Sequence, residues 1–147
     1  MAIHRHVIPR YRLIASGTLT VLNWVFTIAY RFPDVLVKKA FVPGQIRVSI
    51  VTYIDGLGPV WAMAFLLAAI GMTFSLITRR WVIVGHTLGG MVWAAYSTAL
   101  LFGVFASKPI GSIISAAMAV AICFFHVSLV DAYSGELVIR KEPENER

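Results

Sequence analysis

The chain has 147 residues, of which 59% are hydrophobic and 14% charged, with a mean hydropathy of +0.78 and a formal net charge of +6. A soluble domain carries roughly 25% charged residues, so this composition excludes one and points to a single compact membrane domain. The excess of bases does not point to nucleic acid, because no recognition helix, aromatic stacking platform or zinc spacing accompanies it; the bases lie beside apolar runs, where they meet anionic lipid headgroups.

Residues 1–12 are short and basic, with Arg5, Arg10 and Arg12. Leu13–Tyr30 follows as the least hydrophobic span, carrying Ser16, Thr18, Thr20, Asn23 and Thr27, with Tyr11 and Tyr30 bracketing it at headgroup depth. No small-residue cleavage signal follows it, so a retained helix is expected rather than a secretory leader. Asn23 lies mid-span and needs a partner, which turns one face of this helix toward protein. The rival reading is an amphipathic helix lying flat on the membrane.

Residues 31–56 form the one long connection, punctuated by Pro33, Pro43 and Gly44 and too apolar for a free linker. It is expected to rest on the membrane surface. Within it, Gln45–Ile54 fits a short helix and a strand equally. Between Gly56 and Val130 there is no acidic residue, and Arg79, Arg80 and Lys108 are the only charges. They divide the stretch into apolar runs over 57–77, 81–105 and 110–130, each long enough to cross a hydrocarbon core of about 30 Å as a helix. Pro59 falls in the first turn of the second span, where a missing N–H is harmless. Arg79-Arg80 and Ser107-Lys108-Pro109 make tight turns, so successive spans run antiparallel. Trp61 and Trp81 start the second and third spans, and Tyr133 marks the exit of the fourth. A polar, mobile tail is expected from Ser134. The domain reading is therefore a membrane domain over 1–133 and a tail over 134–147. The fold expected is all-α, with four transmembrane helices as two antiparallel hairpins and an interfacial loop between the first two.

Lys and Arg number eight on the N-terminal side of a four-span topology against five on the other, which places both termini in the cytoplasm. A first helix lying flat gives the same division with the tail outside, so charge counting does not separate the two topologies.

Three groupings bear on chemistry. The third span holds Gly85 and Gly89 in a G-x-x-x-G pattern followed by Gly90, and the fourth holds Gly111, Ser115, Ala119 and Cys123 at spacing four. In lipid, close backbone approach at such small residues drives helix association, either within one chain or between copies in a homo-oligomer. His86 and His126 come next. Antiparallel neighbours bring the start of the third span and the end of the fourth to one depth, so the two imidazoles face each other. They are read either as a haem-, metal- or proton-binding pair or as neutral rings hydrogen-bonded to helix carbonyls. Two ligands fall short of a usual metal set, so no cofactor and no metal are expected. The third grouping is an absence: no span contains a carboxylate, as proton-coupled carriers require, and no nucleophile–base set, P-loop or dinucleotide fingerprint occurs. No catalytic residue is expected, and the chain is read as a non-enzyme. The lone Cys123 forms no intrachain disulfide and says nothing of redox compartment.

Gly85-His86-Thr87-Leu88-Gly89 leading to Trp93 and Tyr96, and His126 leading to Asp131-Ala132-Tyr133, resemble small multi-span membrane proteins of bacteriophages of high-GC Gram-positive hosts, many of them regarded as holin-like. The resemblance covers the third and fourth spans best; the long loop 31–56 departs from the most compact holin pattern. It implies a protein of the cytoplasmic membrane that self-associates and permeabilises it, with no catalytic residues. In that reading Thr20, Asn23 and Thr27 are the pore-facing candidates, because they suit the first span to bordering water. The alternative class is a non-catalytic subunit or regulator of a larger membrane complex, including a phage-exclusion factor. A haem-binding membrane anchor is third.

Overall fold

A computed structural model describes residues 10–32, 49–79, 81–106 and 113–145, with side chains as far as residue 135. Five helices follow in order: α1 (Arg10–Arg31), α2 (Ile50–Gly56), α3 (Val60–Thr78), α4 (Val82–Ala106) and α5 (Ile113–Asn145), and no strand occurs among the described residues. Helices α1, α3, α4 and the Ile113–Gly135 part of α5 are each long and apolar enough to cross a membrane. The chain is a small polytopic membrane protein.

Helix α1 runs the length of the bundle instead of lying across its end. Asn23 meets Met72 and Trp24 meets Thr73, whereas Tyr30 lies against Phe65, so α1 and α3 are antiparallel. Ser16 meets His86 at one end and Tyr30 meets Tyr96 at the other, so α1 and α4 run in the same direction. Helix α5 returns along α4, with His126 on His86 and Cys123 on Gly90. The flat-lying reading of the first helix is thereby set aside.

The boundaries differ from the sequence reading in three places. The second span begins at Val60, with Pro59 as its N-cap. A residue before proline is disfavoured in the α region, and Gly58 there takes φ 149°. Helix α5 continues past Val130 to Asn145, so the polar tail from Ser134 carries the helix on; residues 131–142 hold no proline to break the ladder. The ambiguous segment resolves as helix α2, whose N-cap Ser49 accepts the Thr52 N–H at 3.1 Å. The rest of the connection from 33 to 48, together with Arg80, the turn around Lys108 and Gly111, lies outside the described residues.

One end of the core is aromatic. Phe65 is completely buried. The rings of Phe26, Tyr30, Trp61, Trp93 and Tyr96 surround it at centroid distances of 5.0–6.5 Å. Trp61 donates its indole N–H to the Val51 carbonyl at 3.0 Å, which pins α2 across this end. Tyr30, read from the sequence as a headgroup-belt residue, is instead a core residue at 4% exposure, as is Trp61 at the start of the second span, while Tyr11 and Trp81 do point outward. The reason is that Tyr30 finds a buried partner: its hydroxyl donates to the Tyr96 hydroxyl at 2.7 Å.

Several hydroxyls on the lipid-facing surface are satisfied without water. Thr18, Thr87, Thr98 and Ser128 are exposed, yet each hydroxyl donates to the carbonyl four residues earlier in its own helix at 2.8–3.0 Å. Such internal satisfaction is what hydrocarbon demands of a hydroxyl. Phe65→Ala is expected to lower resistance to denaturing detergent by about 3–5 kcal/mol, the range for emptying a buried aromatic site. Phe74→Ala, on the exposed face of the same helix, should change it by much less. Far-ultraviolet circular dichroism during titration with dodecyl sulfate would measure both.

Candidate functional site

The polar cluster sits at the opposite end from the aromatic one, where α1, α4 and α5 converge. Helix α4 turns Gly85, His86, Gly89, Gly90 and Trp93 inward. Helix α5 turns Ala116, Ala119, His126, Leu129 and Tyr133 inward. Both sets follow the three-then-four spacing of a helix face buried along its length.

The two imidazoles meet. His86 Nδ1 lies 3.2 Å from His126 Nδ1, with ring centroids 5.3 Å apart and planes inclined by 58°. His86 is 1% exposed and His126 0%. At that separation one hydrogen lies between the two nitrogens, so one ring donates and the other accepts. His86 Nε2 is 2.8 Å from Ser16 Oγ, and Ser16 Oγ is 3.2 Å from the Tyr133 hydroxyl. The Tyr133 ring stacks on His86 with centroids 5.9 Å apart. Arg12 closes the outer end: its guanidinium donates to the Ala132 carbonyl at 3.1 Å and lies 5.9 Å from the Tyr133 ring centroid.

The glycines make this possible. A Cβ on Gly89 would collide with the His126 ring, and one on Gly90 would touch His126 Cβ at 3.4 Å. A Cβ on Gly85 would come within 2.7 Å of Ser75 Oγ on α3. The G-x-x-x-G ridge is therefore used within one chain, on two different neighbours. On α5 the expected ridge is only half right. Ala119 is buried, but Ser115 faces outward and Ala116 takes the inner position. Residues spaced by four drift about 40° per step around a helix of 3.6 residues per turn, so Ser115 cannot share a face with Cys123.

The three residues read as pore-facing candidates make the following contacts within the single chain. Asn23 is fully buried and donates Nδ2 to the Leu19 carbonyl at 2.8 Å and toward Met72 Sδ at 3.5 Å. Thr20 is buried and donates to the Ser16 carbonyl at 2.8 Å. Thr27 is half-buried and donates to the Asn23 carbonyl at 2.9 Å. In the single chain Asn23 and Thr20 are covered by protein, as a mid-span amide in lipid requires, while Thr27 stays partly open.

The arrangement can hold and exchange protons among two imidazoles, a serine and a tyrosine. For haem it is unsuited: axial histidines must approach from opposite faces of a macrocycle, and rings in direct nitrogen–nitrogen contact leave no space for one. Among the described residues no third histidine, cysteine or carboxylate joins the pair to form a metal-ligating set. Sequence reasoning found the histidines and missed Ser16 and Tyr133. A signal was available: Ser16 and Asn23 are seven residues apart on one helix face, as are His126 and Tyr133.

No family model, curated protein or solved structure matches the chain.

Two measurements test this geometry. In a Cys123→Ser background, His86→Cys with His126→Cys is expected to crosslink at least tenfold faster than His86→Cys with Ser115→Cys, read by gel mobility after mild oxidation. Gly89→Ala is expected to cost about 1–3 kcal/mol, the usual penalty for overfilling a close-packed interior. Gly17→Ala, where the new Cβ meets nothing within 4 Å, should be neutral or slightly stabilising in the same detergent titration.

Proposed function

We propose that the protein is a non-catalytic subunit or regulator of a larger membrane complex. It acts as a preformed bundle that presents apolar helix faces to partner spans. The observation that carries this reading is the burial of Asn23 at 0% exposure. Any account in which the first span borders water must bring that amide out, breaking its contacts to Leu19 and Met72. Among the described residues Ser16, Asn23, Gly85, His86, Gly89 and His126 are used in the chain's own interior, and much of the outward surface is large and apolar: Val21, Val25 and Ile28 on α1, and Met118, Phe124 and Phe125 on α5.

The holin-like reading is second. It is favoured by the same outward surface, because lipid-facing helices lacking polar obligations can also meet copies of themselves. In that reading the copies associate through the outer faces of α1 and α5, and the membrane fails once they accumulate.

Inducible expression in a bacterial host, followed with a potential-sensitive dye, separates the two. The subunit reading expects stable accumulation with membrane potential retained and a co-expressed cytoplasmic muralytic enzyme kept inside. A delay followed by abrupt depolarisation and enzyme release would reject it in favour of the holin-like one.

A further inference from the structure

A groove of about 480 Å³ breaks the lipid-facing surface along the seam between α1 and α3. Thr27 and Ile28 of α1 form one wall, and Ala62, Met63 and Leu66 of α3 the other. Ala62 is buried and offers only a methyl group, while the larger Ile28 and Met63 stand exposed beside it. The hollow is thus a matter of side-chain size at the helix seam.

Among the described lining residues one is charged. Arg31, the last residue of α1, forms part of the groove wall. It is exposed, and its guanidinium rests 6.0 Å from the Phe32 ring centroid. Among the described residues no carboxylate pairs with it. Asp55 on α2 is half-buried at the same end of the bundle and is not part of the groove wall.

Topology sets where that charge falls. Helices α1 and α3 are antiparallel, so Arg31 and Pro59 share one end, at the limit of both spans. Leu66 stands seven residues beyond Pro59, about 10 Å deeper along the bundle. Below Arg31 the one polar side chain among the described lining residues is Thr27, and its hydroxyl donates to the Asn23 carbonyl at 2.9 Å. The groove is therefore cationic at its membrane-surface end and apolar toward the hydrocarbon.

We propose that this groove binds one phospholipid with a net negative headgroup, its phosphate on Arg31 and one acyl chain laid between α1 and α3. A phospholipid carries charge and hydrocarbon in the order in which the groove presents their complements. A partner helix would fill the apolar part but would have to bring a carboxylate to one point. A guanidinium matches phosphate by paired N–H donors, and basic residues at span ends favour anionic over zwitterionic headgroups. A smaller groove of about 230 Å³ between α3 and α4, at the opposite end, is walled by Gly71, Trp81 and Gly85 among others. No charged residue lines it among those described, so nothing there selects a headgroup. The lipid site does not depend on whether the bundle joins a larger complex or copies of itself.

Photolabelling of the full-length protein in phosphatidylcholine nanodiscs tests this. The probe is a trace of phosphatidylglycerol, or of phosphatidylcholine, with a diazirine in the upper half of one acyl chain. Mass spectrometry of fragments locates the label, and that at residues 27–32 and 59–66 is divided by that on the exposed Met118, Phe124 and Phe125 of α5. The ratio is expected to be about fivefold higher for phosphatidylglycerol, the preference that one basic residue gives an anionic surface. Arg31→Gln should lower it to the phosphatidylcholine value. Arg79→Gln, which removes a charge at the other end of α3, should leave it unchanged. Equal ratios for the two lipids, a ratio unaltered in Arg31→Gln, or one lowered as far by Arg79→Gln overturns the proposal.

Discussion

The contact between His86 and His126 is the constraint on which the rest of the bundle is arranged. Two imidazoles at 3.2 Å, both shut away from water, require that α4 and α5 approach closely, and only glycine at position 89 permits it. That approach sets the depth at which α5 meets α4. The free ring nitrogen of His86 then sets where α1 must bring Ser16, and Ser16 in turn meets Tyr133. In hydrocarbon a polar group without a partner has no solvent to fall back on, so these contacts choose the arrangement of the helices even where each contributes little free energy.

The small contribution matters to the argument. Polar contacts between transmembrane helices average only about 0.6 kcal/mol, and apolar faces in lipid gain little from one another over what they already have with acyl chains. Many ways of stacking four apolar helices would thus be close in energy. A shift of α1 by one residue rotates its inward face by about 100°, turning Ser16 and Asn23 away from their partners. A shift by a full turn keeps the face but parts Ser16 from His86 and Tyr30 from Tyr96. Because one polar contact lies at each end of α1, no sliding motion preserves both. The two contacts together act as a register, much as a single buried polar residue does in a coiled coil.

Much of this was legible in the sequence, for reasons specific to a bilayer. Continuous apolar runs delimited by Arg79, Arg80 and Lys108 fixed the last three spans within a few residues, and antiparallel succession was enough to bring His86 and His126 to one depth. Asn23 announced a protein-facing side of the first helix. What sequence could not supply was direction around each helix. Hydropathy is nearly uniform around α4, so nothing in the pattern says that Gly85 meets α3 while Gly89 meets α5. Spacing by four looked like a ridge on α5, but the inward face drifts with the true helical period and takes Ala116 instead of Ser115. Tyr30 resembled a belt residue because aromatic side chains at span ends usually are; its burial depends on a partner, Tyr96, that is distant in sequence.

The same register bears on how such a bundle can act. A pore that opened by exposing the polar side of α1 would give up Ser16, Thr20 and Asn23 together, since they lie on one face, and with them the contact that orients His86. Helices α3 to α5 would keep the His86–His126 pair but lose the group that holds its outer nitrogen. Association through the outer faces asks for none of this, and the exposed Thr18, Thr87, Thr98 and Ser128 hydroxyls are already satisfied by their own helices. A partner of either kind, another protein or a further copy, would on the proposed reading meet the bundle from outside and leave its interior as a single chain makes it.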